Sequence, residues 1–483
     1  MVKKDKISFR GLISFLNRYS LYLFFFLFVL LYLQLPLVEF FFLVPLYWHL
    51  KTSKKINYLL IWSLVFVVTF IIFLPFVNYG IKYFFILLIS LLIFFTIFVF
   101  IGKNLINKKY KEISLAGLFF ILFYFLNFTP IGNYWLNIAG FLSSFPITIR
   151  YLGSYGILIL ILILNYLFYE IFNTYLKNKK QKTFSIILIF VLLVHFFVLP
   201  IFNLNSYENN SKISIAAIQG DLNQNWGDRI KNKEKNYEKY INLSNKALLE
   251  NPTLKVIVWP EYTFTHEIEL DYLFVNKLIS YSYKKNITLI FGSFLLENKS
   301  SISSKRYDTL YIFNNGKFYF YNAYKPISIF DTNTINANNN MPVEIENTNF
   351  GFAICYEENF QDIFSKQIKN FNSQFFIIAS NQFLIKSKFA LELSSLNSNL
   401  RAAEFNRYIL RTANTGLTKL IDNRGKTIKS VPINSEQILY YEIPLIDNVT
   451  SYAQHKTFID FFYIVLFLLF LFLDLGFSKH NKS

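Results

Sequence analysis

The stretch Gly351-Phe-Ala-Ile-Cys-Tyr-Glu-Glu358 places an apolar run directly before a thiol and a pair of carboxylates. The apolar half is typical of a buried strand, and the polar half begins where that strand would end. Cys355 is the only cysteine among the 483 residues, so no disulfide can form within them. An unpaired thiol in an oxidising compartment needs an explanation, and the residues alone allow two: chemistry, or burial as a small apolar group.

Further apolar runs surround this stretch between residues 203 and 455. They predict strands at 213–218, 255–259, 288–293, 309–313, 350–355 and 375–380. Polar segments of helical composition separate several of them, for example 229–250 and 270–285. Asn314-Asn-Gly316 predicts a hairpin turn. The alternation predicts an α/β sandwich or layered sheet, in which side chains at strand ends gather in one crevice.

The chain as a whole is too apolar for an ordinary soluble protein, since 54% of its residues are hydrophobic and only 16% are charged, and Phe, Leu and Ile dominate residues 11–202. Windows long enough to cross a bilayer lie at 57–78, 82–102, 114–130, 152–172, 184–201 and 457–476. Residues 11–50, interrupted by Pro36, Glu39 and Pro45, predict two short helices in a hairpin. We therefore predict a membrane domain of about seven helices at 1–202, an α/β domain at 203–455, and a last membrane helix with a cytoplasmic tail at 456–483.

The net charge of +18 could indicate a nucleic-acid partner, but the basic residues cluster beside the apolar windows. With seven spans before the α/β domain and one after it, every cluster falls on one side of the membrane, which is expected to be cytoplasmic. The clusters are Lys3, Lys4, Lys6, Arg10, Lys51, Lys54, Lys55, Lys103, Lys108, Lys109, Lys111, Lys177, Lys179, Lys180 and Lys182. This pattern predicts a multi-pass membrane protein with an extracytoplasmic α/β domain and no nucleic-acid partner.

Three reactive side chains follow predicted strands. Glu261 follows Val256-Ile-Val-Trp-Pro260, Lys325 follows the hairpin, and Cys355 follows Ile354. A carboxylate can take the thiol proton, and an ammonium can lower the thiol pKa and stabilise an oxyanion. Each residue also has an ordinary structural interpretation: a helix-terminal charge, a solvated lysine and a core thiol. Spacing alone does not show that the three meet.

In this order, the segments resemble the nitrilase superfamily, whose Glu-Lys-Cys triad follows three strands. Together with the membrane flanks, they resemble its membrane-embedded branch, the apolipoprotein N-acyltransferase family. The motifs that carry the resemblance are Ala217-Ile-Gln-Gly-Asp-Leu-Asn-Gln-Asn-Trp226, Val258-Trp-Pro-Glu-Tyr262, Tyr307-Asp-Thr309, Tyr324-Lys325, Ile354-Cys-Tyr-Glu357, Leu400-Arg-Ala-Ala-Glu404, Arg411-Thr-Ala-Asn-Thr-Gly416, Asp422-Asn-Arg-Gly425 and Tyr134-Trp135-Leu136. The fold that it implies is a multispan helical bundle with a nitrilase-like α-β-β-α sandwich.

The resemblance also implies roles. Glu261 would be the general base, Lys325 the electrostatic stabiliser and Cys355 the nucleophile. Tyr356 and Glu357 would support the site, Trp226 would lie near the acyl-binding region, and Trp135 would belong to a membrane loop beside the active-site cavity. The implied reaction moves a fatty acyl chain from a membrane phospholipid to the N-terminal amine of a diacylated apolipoprotein through a cysteine thioester. It implies a monomer in the cell inner membrane, with the catalytic domain facing the periplasm and no metal or cofactor.

Two departures from the family pattern leave alternatives open. The loop after Lys325 lacks the usual second glutamate, and either Asp331 or Glu344, or neither, would replace it. Ser380-Asn-Gln-Phe-Leu384 lacks an aromatic residue of the family's lid segment. Rival functions are a membrane-tethered amidase that hydrolyses its thioester, and a multispan scaffold whose outer domain is inactive.

Overall fold

The structure is a computed structural model that describes residues 2–79, 81–126, 137–142, 145–177, 183–201, 211–222, 231–298, 305–326, 333–383, 385 and 387–476. The chain divides into two compact units. One comprises residues 1–203 with 455–483, and the other comprises 204–454.

The first unit is helical throughout its described elements. Its helices are α1 (Val2–Tyr32), α2 (Val44–Thr52), α3 (Tyr58–Phe73), α4 (Ile81–Leu105), α5 (Lys111–Phe125), α6 (Ile149–Leu176) and α7 (Thr183–Phe197), and it takes in most of the C-terminal helix Ser451–Gly476. Backbone groups have no water to bond to inside a bilayer, so helices are the form in which such apolar segments can cross it.

Five of the described helical segments are long and apolar enough to span a membrane: Gly11–Tyr32, Phe84–Leu105, Ile149–Leu176, Thr183–Ile201 and Ser451–Gly476. A sixth, Tyr58–Phe73, is apolar but shorter. These segments confirm a multispan helical region, while the number of seven spans before the α/β domain stays a prediction. The expectation of two short helices at 11–50 is wrong for the first, because α1 continues to Tyr32 and stops only ahead of Pro36.

The second unit contains two six-stranded sheets. The strands are β1 (Lys212–Gln219), β2 (Val256–Val258), β3 (Thr288–Leu296), β4 (Arg306–Asn314), β5 (Lys317–Asn322), β6 (Val343–Ile345), β7 (Thr348–Ile354), β8 (Phe375–Ser380), β9 (Ile409–Ala413), β10 (Lys419–Ile421), β11 (Thr427–Ser430) and β12 (Gln437–Pro444). The first sheet has the order β12-β1-β2-β3-β4-β5 and the second β11-β10-β9-β8-β7-β6. Strands β1, β2 and β3 are mutually parallel, as are β7, β8 and β9.

Strand periodicity explains the layers. Alternate residues of β1 and β7, such as Ile215 and Phe352, belong to one buried cluster shared by both sheets. The outer face of the first sheet packs on α8 (Lys233–Glu250) and α9 (Tyr272–Lys285). The helices after β7 are α10 (Gln361–Phe371), α11 (Lys388–Ser394) and α12 (Leu396–Phe405). The outer face of the second sheet packs on α10 and α12, where the Phe364 ring contacts the rings of Phe376 and Phe405. This arrangement confirms the predicted α-β-β-α sandwich.

The predicted strands lie close to the observed ones, and the hairpin turn is confirmed by the pairing of Asn314 with Lys317. Gly316 has φ +75°, which favours glycine there. Strand β7 ends at Ile354, one residue before the predicted end, because Cys355 leaves the extended conformation.

Candidate active site

Cys355 occupies the turn that ends β7. Its φ is +48°, unusual for a non-glycine residue, and a single 3₁₀ turn, Cys355–Asn359, starts from it. This conformation turns the chain away from the sheet directly after the strand. The thiol is half-buried and accepts a hydrogen bond from the Ser380 hydroxyl, with Oγ 3.6 Å from Sγ. The sulfur therefore stands at the C-terminal ends of two adjacent parallel strands, β7 and β8.

Glu261 occupies a turn in the first sheet, after β2. The backbone there is held against β3, since Trp259 N–H donates to the Ile290 carbonyl at 2.8 Å and Gly292 N–H to the Pro260 carbonyl at 3.1 Å. A Cβ added to Gly292 would lie 2.6 Å from the Glu261 Cα, so only glycine permits this approach. The Glu261 side chain is 5% exposed.

The Glu261 carboxylate and the Cys355 thiol interact electrostatically across the two turns. Burial raises the pKa of the Cys355 thiol well above its ordinary value, and the Glu261 carboxylate is the nearby charge that raises it most. The hydrogen bond from Ser380 opposes that rise. Burial and the Glu261 carboxylate therefore both favour the neutral thiol over the thiolate.

Glu357 ties the Cys355 turn to the hairpin loop. Its Oε2 accepts from Ile354 N–H and the Tyr321 hydroxyl, both at 2.8 Å. Its Oε1 accepts from Tyr324 N–H at 2.6 Å and Lys325 N–H at 3.2 Å. Burial raises the pKa of Glu357 to about 7, while these four donors favour the ionised form. One buried side chain thus fixes the backbone on both sides of the site.

Lys325 is brought to the site through its backbone, whereas its ammonium is directed to the surface. Its Nζ lies 3.1 Å from the Asp362 Oδ2 and 4.1 Å from the centre of the Phe360 ring. The Lys325 and Asp362 side chains are 40% and 57% exposed. A pair this exposed is held weakly, so the ammonium can exchange partners at little cost.

A buried ion pair contacts Ser380, the residue whose hydroxyl donates to the thiol. Arg411 of β9 contacts Glu358 through two nitrogens, with Nε 2.9 Å from Oε2 and Nη2 3.3 Å from Oε1. The Arg411 Nη2 also donates to the Ser380 Oγ at 3.1 Å. Both charged side chains are at most 1% exposed.

The remaining predicted residues divide into three groups. Tyr356 follows the thiol and contacts the Phe360 ring, with centroids 5.1 Å apart. Glu344 is exposed on the edge strand β6. Trp135, Trp226 and Asp331 lie outside the described residues.

Comparison with known proteins agrees with this geometry. Residues 214–453 match the carbon-nitrogen hydrolase family. This domain belongs to the carbon-nitrogen hydrolase family. The match extends from β1 through both sheets to the start of the C-terminal helix, so it includes the turns of Glu261, Lys325 and Cys355.

The curated relatives that match this chain include several apolipoprotein N-acyltransferases. It is 28% identical to apolipoprotein N-acyltransferase 2 of Treponema denticola over 27% of this chain and 24% of that one. It is 24% identical to the Wigglesworthia glossinidia brevipalpis enzyme over 62% and 64% of the two chains, and 24% identical to the Aquifex aeolicus enzyme over 65% and 71%. The chain thus spans less than two thirds of the length of the Treponema denticola and Wigglesworthia glossinidia brevipalpis proteins.

Sequence analysis missed four residues of the carbon-nitrogen hydrolase site: Ser380, Arg411, Glu358 and Asp362. Ser380 and Arg411 stand in the motifs Ser380-Asn-Gln-Phe-Leu384 and Arg411-Thr-Ala-Asn-Thr-Gly416, but strand pairing is needed to place them beside Cys355. The position of Ser380 at the end of β8 and the charge of Arg411 within a buried strand are the signals that could have drawn attention to them.

Proposed function

We propose that the protein is an N-acyltransferase that moves a fatty acyl chain from a membrane phospholipid to the N-terminal amine of a diacylglyceryl-cysteine on an apolipoprotein. The observation that carries the proposal is that Glu261 and Cys355 stand at strand ends of two sheets that share one core, close enough for the Glu261 carboxylate to raise the pKa of the thiol. The relatives named as apolipoprotein N-acyltransferases and the apolar helices of the first unit support the lipid substrates.

In the first half-reaction, the Cys355 sulfur attacks the ester carbonyl of the phospholipid while Glu261 takes the thiol proton. The tetrahedral intermediate collapses by breaking the ester C–O bond. Glu261 returns the proton to the departing oxygen, so a lysophospholipid leaves and a thioester remains.

In the second half-reaction, the free amine of the acceptor attacks the thioester carbonyl. Glu261 takes the amine proton and passes it to the Cys355 sulfur as the C–S bond breaks. An amide forms and the thiol is restored, so no cofactor is consumed.

Lys325 stabilises the oxyanion in both halves. To do so its Nζ leaves Asp362 and turns toward the thiol, while Glu357 keeps the Lys325 backbone in place. The weak surface pair permits this rotation, and a positive charge at the reacting carbonyl stabilises developing negative charge.

The experiment follows the acyl group by mass. The purified full chain in detergent is mixed with a diacyl phospholipid, quenched in acid and measured as an intact protein. We expect a fatty acyl adduct at Cys355 that disappears when a diacylglyceryl-cysteine peptide with a free amine is added, with the peptide gaining the acyl group. An N-acetylated peptide is the matched control and should leave the adduct in place.

The rival functions predict different results. An amidase-like hydrolase would release free fatty acid without any peptide, and an inactive scaffold would show neither an adduct nor fatty acid. Cys355→Ala should abolish both the adduct and peptide acylation while the protein still inserts into membranes. Peptide acylation by that variant would overturn the proposal.

We also propose that the protein lies in the cell inner membrane with residues 203–455 on the periplasmic side. The lysine clusters beside the apolar windows support this orientation. A Cys355→Ser chain carrying Leu249→Cys places one thiol at a side chain that is 83% exposed. Labelling of intact spheroplasts by a membrane-impermeant maleimide is the expected result, and labelling only after lysis would reverse the orientation.

A further inference from the structure

The Cys355 sulfur is approached from β8 by a hydroxyl. β7 and β8 are parallel and Ile354 pairs with Ala379, so the next residues along, Cys355 and Ser380, are neighbours at the strand ends. Ser380 is fully buried, and its Oγ donates to Sγ at 3.6 Å. Since Ser380 is buried beside the sulfur, water cannot easily take the place of its hydroxyl.

The Ser380 hydroxyl is oriented by Arg411. The guanidinium donates to the serine oxygen from Nη2 at 3.1 Å, which leaves the serine proton available for the sulfur. Arg411 itself is held by Glu358, by the Leu417 carbonyl at 2.8 Å from Nη1 and by the Gln382 Oε1 at 3.2 Å. These contacts fix the plane of the guanidinium and thereby the direction of the one donor that reaches the Ser380 hydroxyl.

The charges of this cluster explain why the hydroxyl is useful. Glu358 and Arg411 form a buried pair, so the positive charge on Arg411 is balanced. Two carboxylates near the sulfur, Glu261 and Glu358, raise the pKa of the thiol, after burial, and Ser380 lowers it. Tyr262, in the turn after β2, is also close enough to Cys355 for the charge of the sulfur to raise the pKa of the tyrosine hydroxyl. A neutral donor stabilises a thiolate in this setting without adding a further buried charge.

We propose that Ser380 is a further catalytic residue, which stabilises the Cys355 thiolate by donating its hydroxyl proton in a hydrogen bond to Sγ, and that Arg411 is the positioning residue that aims this hydroxyl. This inference rests on the proposed role of Cys355 as the nucleophile. No bond is broken in this step; the hydrogen bond strengthens as the sulfur becomes negative.

The test is the pH dependence of Cys355 alkylation. Because Cys355 is the only cysteine in the chain, iodoacetamide labelling of the full protein in detergent reports this thiol alone. We expect Ser380→Ala to shift the alkylation profile to higher pH and to slow labelling about tenfold at any pH below the midpoint, as expected for losing one hydrogen bond to a charged group. Acyl-adduct formation from phospholipid should slow by a similar factor.

Matched variants separate this effect from a loss of stability. Ser282→Ala also removes a buried serine hydroxyl, one that donates to the Ile287 and Phe313 carbonyls. These partners lie in the first sheet or next to it, not in the Cys355 turn, so the alkylation profile should be unchanged. Ser380→Thr keeps a hydroxyl and should keep the wild-type profile. Arg411→Lys keeps the charge but loses the planar donors, and should shift the profile in the same direction as Ser380→Ala.

The outcomes are distinct. Coincident profiles for Ser380→Ala and wild type would overturn the inference, as would an equal shift in Ser282→Ala. If the profile shifts but the wild-type protein never forms an acyl adduct, the role of Ser380 stands and the proposed acyl transfer fails.

Discussion

The turn that carries Glu261 and the turn that carries Cys355 each end a strand of a six-stranded sheet, but different forces hold them. The Glu261 turn is held by close backbone packing against Gly292 of β3. The Cys355 turn is held by the buried carboxylate of Glu357, which accepts four hydrogen bonds. One turn therefore depends on the absence of a side chain and the other on a buried acceptor of hydrogen bonds.

The difference fits the role proposed for each residue, Glu261 as general base and Cys355 as nucleophile. A general base must keep one position while its proton changes, and steric packing does not depend on protonation. The nucleophile must be aligned with the backbone that follows it and with Lys325, and a carboxylate that accepts from both segments couples them. The comparison predicts that the two turns fail in different ways.

The largest effect is expected for Glu261→Gln. The amide keeps the shape of the side chain but cannot take the thiol proton, so formation of the acyl adduct should slow about 10²–10⁴-fold. Quenched-flow intact mass spectrometry measures the rate. Glu297→Gln, at an exposed carboxylate, is the control and should react like wild type. An unimpaired Glu261→Gln would remove Glu261 from the mechanism.

Glu357→Gln tests the hydrogen-bonded turn. The amide group turns two donor hydrogens toward backbone N–H groups, so we expect a loss of about 3 kcal/mol in the free energy of unfolding and a slower acylation. Chemical denaturation in detergent measures the first and adduct formation the second. Glu442→Gln on the exposed face of β12 should cost little. Equal stability of the two variants would contradict the assigned role.

Gly292→Ala tests the packed turn. The new Cβ would lie 2.6 Å from the Glu261 Cα and 2.8 Å from the Tyr262 nitrogen, so the backbone must move, at a cost of about 2 kcal/mol. We expect acylation to fall while alkylation of Cys355 by iodoacetamide persists, because the second sheet is unaffected. Gly316→Asn, in an open turn that asparagine tolerates, is the control. Loss of both reactivities would show that the two turns are not independently held.

The ionisation of Glu357 predicts a pH dependence of stability. Its folded-state pKa of about 7 lies above the ordinary value of 4.5, so the folded protein binds more protons between these values. The contribution of this carboxyl to stability should therefore decrease as pH rises from 4.5 to 7, by about 1–3 kcal/mol. The difference in the free energy of unfolding between wild type and Glu357→Gln should therefore be largest near pH 4.5, where the loss of about 3 kcal/mol is expected, and should narrow toward pH 7. A difference that does not change with pH would count against this role.

The smallest effect is expected for Asp362→Asn. The ion pair with Lys325 is exposed, so its loss should change the free energy of unfolding by less than about 1 kcal/mol and the acylation rate by only a few-fold. Glu392→Gln, which breaks the exposed pair with Lys388, is the matched control. A large loss of activity in Asp362→Asn alone would make the Lys325–Asp362 pair part of the catalytic arrangement.

Much of this architecture follows from local patterns in the chain. Apolar runs of bilayer length predict the helical region, and short apolar runs predict β1, β3, β7 and β8, because strands buried on both faces are apolar along most of their length. The polar residues that stop these runs mark Glu261, Lys325 and Cys355 as candidates.

Contacts between distant residues leave no such trace. The approach of Gly292 to Glu261, the four donors on Glu357 and the Ser380–Arg411 contact all join segments that only sheet pairing brings together. The direction of the Lys325 ammonium toward Asp362 likewise depends on the 3₁₀ turn after Cys355. Local periodicity indicates which residues are buried, so the sequence alone identified the residues at the strand ends. Hydrogen bonds and close backbone approaches depend on neighbours that are distant along the chain. The arrangement of the strand-end residues relative to one another was therefore decided only by the folded sandwich.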